Sequence, residues 1–327
     1  MPSLFSAFFP PDPTFTDKDL PSLAGKVFIV TGAASGVGFD LVKIIYVAGG
    51  TVYVAARSAS RCEGAIEKIK AQTSSQKYAG KLKTMVIDLA DLETVKVAVD
   101  EFLRRETRLD VLFNNAAVML PPTGSKSKQG QNLEMATNCV APYLLTTLLE
   151  PILIRTAASS PPLSVRVVFV VALMQYGNPA GKMSFDDHGD PKIPPKQWDT
   201  YMQSKVGGTW LAAGFAQQLG SKGILSVSVH PGLMRTELQR NMSVIDRVVM
   251  KYIFKPPVHG AYSELYAAFS PQLKAENNGG YVMAWGRIAD LPEDITKGLK
   301  SRAEGGSGAA KMFLDYCARE TKDFQKS

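Results

Sequence analysis

Lys26-Val27-Phe28-Ile29-Val30-Thr31-Gly32-Ala33-Ala34-Ser35-Gly36-Val37-Gly38 is the stretch on which the fold turns. A short apolar run stops at a glycine turn, and beyond it Val37, Leu41, Ile44, Ile45 and Ala48 fall on one face at helical period. Strand, glycine turn and helix in that order make a cradle for a pyrophosphate. Gly32 permits the tight turn, Gly36 lets backbone approach the phosphates, and Gly38 allows close helix packing, while the helix N-terminus offers free N–H groups and positive potential. A glycine triplet alone says little; on the first strand-to-helix turn of a repeated βα pattern it carries the assignment.

That pattern continues along the chain. Candidate strands lie at 27–31, 51–56, 82–88, 111–114, 165–171, 224–230 and 280–284, separated by segments of helical period. The first four are nearly continuous in apolar character, as when both faces of a strand are buried. Leu92, Val95, Val99, Phe102 and Leu103 trace a second helical stripe, with Asp91 as its N-cap. The reading is an α/β fold, a Rossmann-type doubly wound parallel sheet of seven strands with helices on both faces. Residues 25–304 form a single domain, with an N-terminal arm at 1–24 and a C-terminal appendage at 305–327. A loop at 175–195 and a lid segment at 238–258 follow strands at their C-terminal ends, where open α/β sheets bind ligands.

Composition narrows the classes. With 327 residues, 45% hydrophobic and 20% charged, the chain is a soluble globular protein rather than a disordered or membrane-embedded one. The net charge of +7 comes from lysines and arginines scattered among acidic residues, not from the basic stripe of a nucleic-acid binder. Cys62, Cys139 and Cys317 are an odd set without paired spacing, which argues against disulfides and for a reducing, cytoplasmic setting. His188, His230 and His259 are too dispersed for a zinc site, so no metal is expected. The N-terminus lacks a basic region and breaks at Pro10, Pro11 and Pro13, against a signal peptide. Its Leu4, Phe5, Phe8 and Phe9 are read as an arm docking on the body, with transient membrane or partner contact as the alternative and no stable membrane insertion.

The second strand ends Ala55-Ala56-Arg57, without the carboxylate that would hold an NAD ribose. Arg57 stands where a guanidinium meets a 2′-phosphate, favouring NADP(H). Asp88 and Asn114-Asn115-Ala116-Ala117 add polar groups along the same edge, around the adenine and the cofactor backbone. Tyr201 and Lys205 lie one turn apart on one helical face. An ammonium beside a phenol lowers its pKa from about 10 and makes it a usable acid or base near neutral pH.

Taken together, the glycine turn, Asp88, the Asn-Asn-Ala-Ala segment, Asn138, the Tyr-Met-Gln-Ser-Lys motif and His230-Pro231-Gly232 resemble the short-chain dehydrogenase/reductase family. The similarity spans about 26–283, and its finer texture resembles the retinol-dehydrogenase-like branch and its fungal members. The resemblance implies Tyr201 as catalytic acid/base, Lys205 on the nicotinamide ribose, and Asn138 supporting a proton relay through water. It places Pro231, Gly232 and Thr236 at the nicotinamide end, and Gly32, Ser35, Gly36, Val37, Arg57, Asp88, Leu89 and Asn115 along the rest of the dinucleotide.

One departure matters most. The family ends its fifth strand with a serine that hydrogen-bonds the substrate carbonyl; here that position is Ala172. Loss of one such donor typically costs about 2.7 to 4 kcal/mol in the transition state. Gln175, Tyr176 or Ser184 in the following loop could substitute. Ala117, where the family commonly has glycine, affects only local backbone shape. The expected activity is NADP(H)-dependent hydride transfer to or from a carbonyl or alcohol of a lipophilic small molecule, such as a secondary metabolite, by a monomer or homodimer. The alternatives are non-redox isomerase, dehydratase or cyclase chemistry on the same fold, and a catalytically silent NADP(H) sensor or scaffold.

Overall fold

The computed structural model describes residues 9–76, 80–173, 183–236 and 254–325. Its sheet holds β1 (Val27–Thr31), β2 (Thr51–Ala56), β3 (Lys81–Val86), β4 (Val111–Asn114), β5 (Val165–Val170), β6 (Ile224–Val229), β7 (Tyr281–Met283) and β8 (Arg287–Ala289). The spatial order is β3-β2-β1-β4-β5-β6-β7-β8. The first seven strands run parallel. The order reverses between β1 and β4, and that switch point opens a crevice at the strands' C-terminal ends.

The expected count of seven strands is corrected to eight. β8 returns antiparallel on β7, pairing Tyr281 with Ala289 and Met283 with Arg287. Three residues with a single alternation carry too little pattern to be read as a strand, and only pairing with β7 defines it.

The helices are α1 (Gly36–Val47), α2 (Ala59–Gln72), α3 (Leu92–Arg105), α4 (Ala141–Ala158), α5 (Gln197–Leu219), α6 (Pro257–Phe269), α7 (Glu293–Leu299) and α8 (Ala309–Thr321). Alternate residues of each strand feed opposite cores. Ile29, Val167 and Phe169 pack with Val99 of α3, Leu145 of α4 and Trp210 of α5 on one face. Phe28, Val30, Val168 and Val227 pack with Leu41 of α1, Ile69 of α2 and Leu265 of α6 on the other. Asp91 caps α3 by accepting from Glu93 N, as its sequence position suggests. Leu103, expected in the α3 stripe, is exposed instead, at its edge. The stretch 133–158 is long and apolar enough to cross a membrane, but two-thirds of it is buried in the protein, against β5, β6 and α3.

Described residues near both ends, within 15–23 and in α8, pack on this body. Leu23 is fully buried, Phe15 meets Tyr266 edge-on at 6.2 Å, and Tyr262 donates to Asp17 at 3.2 Å. Leu4, Phe5 and Phe8 lie outside the described residues, and Phe9 is exposed. The segment expected as an appendage from 305 instead sends α8 into the larger core, where Phe313 and Cys317 are fully buried. Close contact requires glycine on α5: a Cβ at Gly207 would lie 2.7 Å from the Phe313 ring, and one at Gly214 the same distance from Leu314. Phe313 meets Trp210 at 6.1 Å. Phe313→Ala should therefore cost about 3–5 kcal/mol of unfolding free energy in urea denaturation. A loss below about 1 kcal/mol would mean that α8 is not part of the cooperative core.

Candidate functional site

The crevice is a cleft of about 510 Å³ lined by the ends of β1 to β6 and the first turns that follow them. At one side stands the glycine turn. Gly32 and Gly36 have φ of +67° and +59°, in the left-handed region that glycine enters without strain. A Cβ on Gly38 would sit 2.5 Å from Asn115 Nδ2 and 2.8 Å from Gly32 O. Ser35, at the N-cap of α1, makes no capping bond with its hydroxyl. Uncapped N–H groups at a helix N-terminus, close backbone approach and a hydroxyl without a capping bond fit a pyrophosphate. Gly32, Ser35, Gly36, Val37 and Gly38 all line the cleft.

Asn115 braces this turn as well as lining the cleft. Its Nδ2 donates to Thr31 O at 2.7 Å, and the Asn115 and Ala116 N–H groups donate to Thr31 Oγ1 at 3.0 Å. Those bonds stitch β4 to β1 across the switch point. Thr31 was not singled out from sequence, since a threonine at a strand end has no pattern of its own.

Farther along, Arg57 and Arg61 both line the cleft. Arg57 follows β2 and Arg61 lies in the first turn of α2, whose N-cap Ser58 accepts from Arg61 N. Arg61 was missed from sequence, although its spacing of four from Arg57 across a helix start was a readable signal. Two guanidiniums beside a helix N-terminus suit a phosphate dianion. Asp88 and Leu89 lie across from them, and Asp88 Oδ1 accepts from Ala90 N at 3.0 Å.

At the opposite end, Tyr201 and Lys205 emerge from α5 into the same cleft, both almost fully buried. Lys205 Nζ donates to Val170 O at 3.2 Å and lies 5.6 Å from the centre of the Tyr201 ring. Burial pulls the ammonium down to about 8. The phenol moves up, not down, through burial and then the field of Glu134. The expected lowering by Lys205 is outweighed because Nζ is directed to a carbonyl while the phenol is desolvated. Pro231, Gly232 and Thr236 line the cleft too, with Leu233 and Met234 between them, and Thr236 reaches the glycine turn, where a Cβ on Gly36 would lie 3.2 Å from it. His230 Nδ1 accepts from Gly232 N at 3.4 Å, and burial pushes the imidazole down to about 3, so it stays neutral.

Asn138 does not line the cleft. It sits in a π turn, Ala136–Val140, with its amide committed to Val118 O at 3.0 Å and Ser204 Oγ at 2.9 Å, and its Oδ1 accepting from Val118 N at 2.8 Å. Its side chain therefore braces the wall. Ala172 lines the cleft between Val171 and Leu173. Of the substitutes considered for the missing hydroxyl, Ser184 is exposed and away from the cleft, while Gln175 and Tyr176 lie outside the described residues. Of the lid segment only Phe254 onward is described, and Phe254 lines the cleft. Met119 and Trp198, unmarked in sequence, form the wall beside Tyr201, with the Trp198 ring 5.9 Å from the phenol.

With this geometry in place, the relatives agree. Residues 26–170 match the short chain dehydrogenase family. A short-chain dehydrogenase/reductase of Phomopsis amygdali is 40% identical over 324 residues, covering 97% of this chain and 95% of that one. Another, from Emericella nidulans, is 39% identical over 266 residues, covering 81% and 84%. Among solved structures, a Mycobacterium paratuberculosis protein superposes with a TM-score of 0.67 at 24% identity, over 94% of this chain and 97% of that one. A Pseudomonas aeruginosa RhlG/NADP active-site complex gives 0.63 at 21%, over 81% and 96%. The chain belongs to the short-chain dehydrogenase/reductase family, whose members are usually NAD(P)-dependent oxidoreductases acting on small molecules.

Behind the cleft, Glu264 of α6 is fully buried, and neither carboxylate oxygen has a hydrogen-bond partner among the described residues. Burial pushes it up to about 8, against the pull of Lys205. From the ordinary value of 4.5 to about 8, the folded state keeps a proton that the unfolded chain releases, so stability falls as pH rises through that window. Glu134, raised by burial to about 7, adds to the same slope, whereas Lys205 acts in the opposite sense only above about 8. In chemical denaturation, Glu264→Met should match the wild type near pH 4.5 and become progressively more stable than it toward pH 8. Parallel pH profiles would contradict a buried, proton-holding Glu264.

Proposed function

We propose that this chain is an NADP(H)-dependent oxidoreductase that moves hydride between the nicotinamide and a carbonyl or alcohol of a lipophilic small molecule. The observation that carries the reading is one continuous cleft with the glycine turn and two arginines at one end and Tyr201 with Lys205 at the other. Gly32, Ser35, Gly36, Val37 and Gly38 hold the pyrophosphate, Arg57 and Arg61 the 2′-phosphate, and Asp88 and Leu89 flank the adenine. Asn115 braces the turn, Pro231 and Gly232 border the nicotinamide, and Thr236, against Gly36, lies nearer the phosphates. When bound, the nicotinamide supplies or accepts the hydride.

The protein's own part is proton transfer and orientation. Tyr201 Oη gives its proton to the oxygen of a carbonyl under reduction, or takes it from an alcohol under oxidation. Lys205, held by Val170 O, orients the ribose and supplies positive charge as the phenolate forms. Asn138 acts from behind by fixing the Val118 backbone. Met119, Val171, Leu173, Trp198 and Phe254 make an apolar surround that suits a ring-bearing substrate such as a secondary metabolite. α8 lies against α4 and α5, beside the active site, and favours a monomer over a homodimer. The free, buried cysteines fit a cytoplasmic setting.

Ala172 supports a second reading, in which the same acid/base pair serves isomerisation, dehydration or cyclisation. Titration of NADPH and NADH against the purified chain, with absorbance followed over a panel of carbonyl compounds, separates the two. Arg57→Ala should weaken NADPH by at least about tenfold with NADH little changed, the loss of a charge-assisted phosphate contact. An equal effect on both coenzymes would refute the phosphate assignment. Tyr201→Phe should abolish turnover while NADPH still binds. Ala172→Ser should raise a reductase rate by up to about a hundredfold if no other donor serves the carbonyl. Product formation without NADPH consumption would establish the non-redox reading instead.

A further inference from the structure

Glu134 and Asn138 stand one turn apart on the helical stretch that leads into α4, and both side chains reach the same piece of backbone. Asn138 engages the N–H and C=O of Val118, at 2.8 and 3.0 Å. Glu134 Oε1 accepts from Leu120 N at 2.8 Å. Glu134 is itself fixed, because Asn132 Oδ1 accepts from the Glu134 and Met135 N–H groups at 3.0 and 3.2 Å. These bonds fall on alternate residues of the wall and leave Met119 between them, packed with Tyr201 and Met202. Met119 lines the cleft; Glu134, 1% exposed, does not. Leu120 has φ of +48°, a conformation that a non-glycine residue keeps only when its surroundings hold it there.

We propose that Glu134 is a positioning residue that, through its bond to the Leu120 N–H, holds Met119 against Tyr201 and so shapes the substrate wall without touching substrate or cofactor. This rests on the reading that the cleft beside Tyr201 receives the substrate. A carboxyl suits the task, since protonated or ionised it keeps an acceptor for Leu120. Its burial, which moves it up to about 7, lets it be neutral beside the phenol.

The test uses full-length protein carrying ¹³C-methyl methionine, with the Met119 signal assigned by Met119→Leu. The wild-type signal should be displaced by the ring current of Tyr201. Glu134→Gln, which keeps the acceptor, should preserve that displacement, and Glu134→Ala should remove it while NADPH affinity stays within about twofold. With α-tetralone as a probe ketone, Glu134→Ala should raise KM about tenfold with little change in kcat, and Glu134→Gln should restore it. If Glu134→Ala does not fold, Glu134→Leu, which fills the space but accepts no bond, should give the same loss of displacement. An unmoved Met119 signal in a folded Ala or Leu variant, or an equal loss in Glu134→Gln, overturns the proposal. The methyl signal needs no turnover, so inactivity toward ketones would count against the oxidoreductase reading and leave the wall assignment standing.

Discussion

The contact between the glycine turn and the end of β4 is what the rest of the site depends on. Thr31 Oγ1 accepts two backbone N–H groups from across the switch point, and Asn115 Nδ2 returns a bond to Thr31 O. The two segments approach so closely that a Cβ on Gly32 would lie 2.9 Å from Ala116 Cα. A crevice exists at this point because neighbouring strands β1 and β4 carry their connections to opposite faces of the sheet. Without the stitch, the phosphate cradle and the wall that begins at Ala116 would have no common reference.

Charge in the cleft is distributed by burial as much as by neighbours. Arg57 and Arg61 line the cleft as exposed residues, where a guanidinium keeps its charge. At the opposite end, Tyr201, Lys205, Glu134 and His230 are all desolvated, and each moves toward its neutral form. Glu264 is fully buried, with no hydrogen-bond partner for its carboxylate among the described residues.

The wall beside Tyr201 is held from behind. Two side chains from one helix face hold the Val118 and Leu120 backbone, and the intervening Met119 packs on the phenol. The π-helical turn at Ala136–Val140 carries Asn138, and the chain continues from it into α4.

Period and punctuation in the sequence determined the βα repeat and the glycine turn, because strand alternation, helical spacing and glycine's backbone freedom are local properties; the Tyr201–Lys205 spacing is common and gained meaning only from the family resemblance. Arg57 stood at a strand end that the repeat already located, whereas Ala172 drew attention only through the family resemblance. Only the tertiary structure decided what lies between elements distant in sequence. The pairing of β8, the seating of Phe313 on Gly207, the commitment of Asn138 to Val118, and the upward shift of the Tyr201 phenol all arise from contacts or burial that no local pattern encodes. Spacing places two groups side by side, but the water removed around them sets their charge.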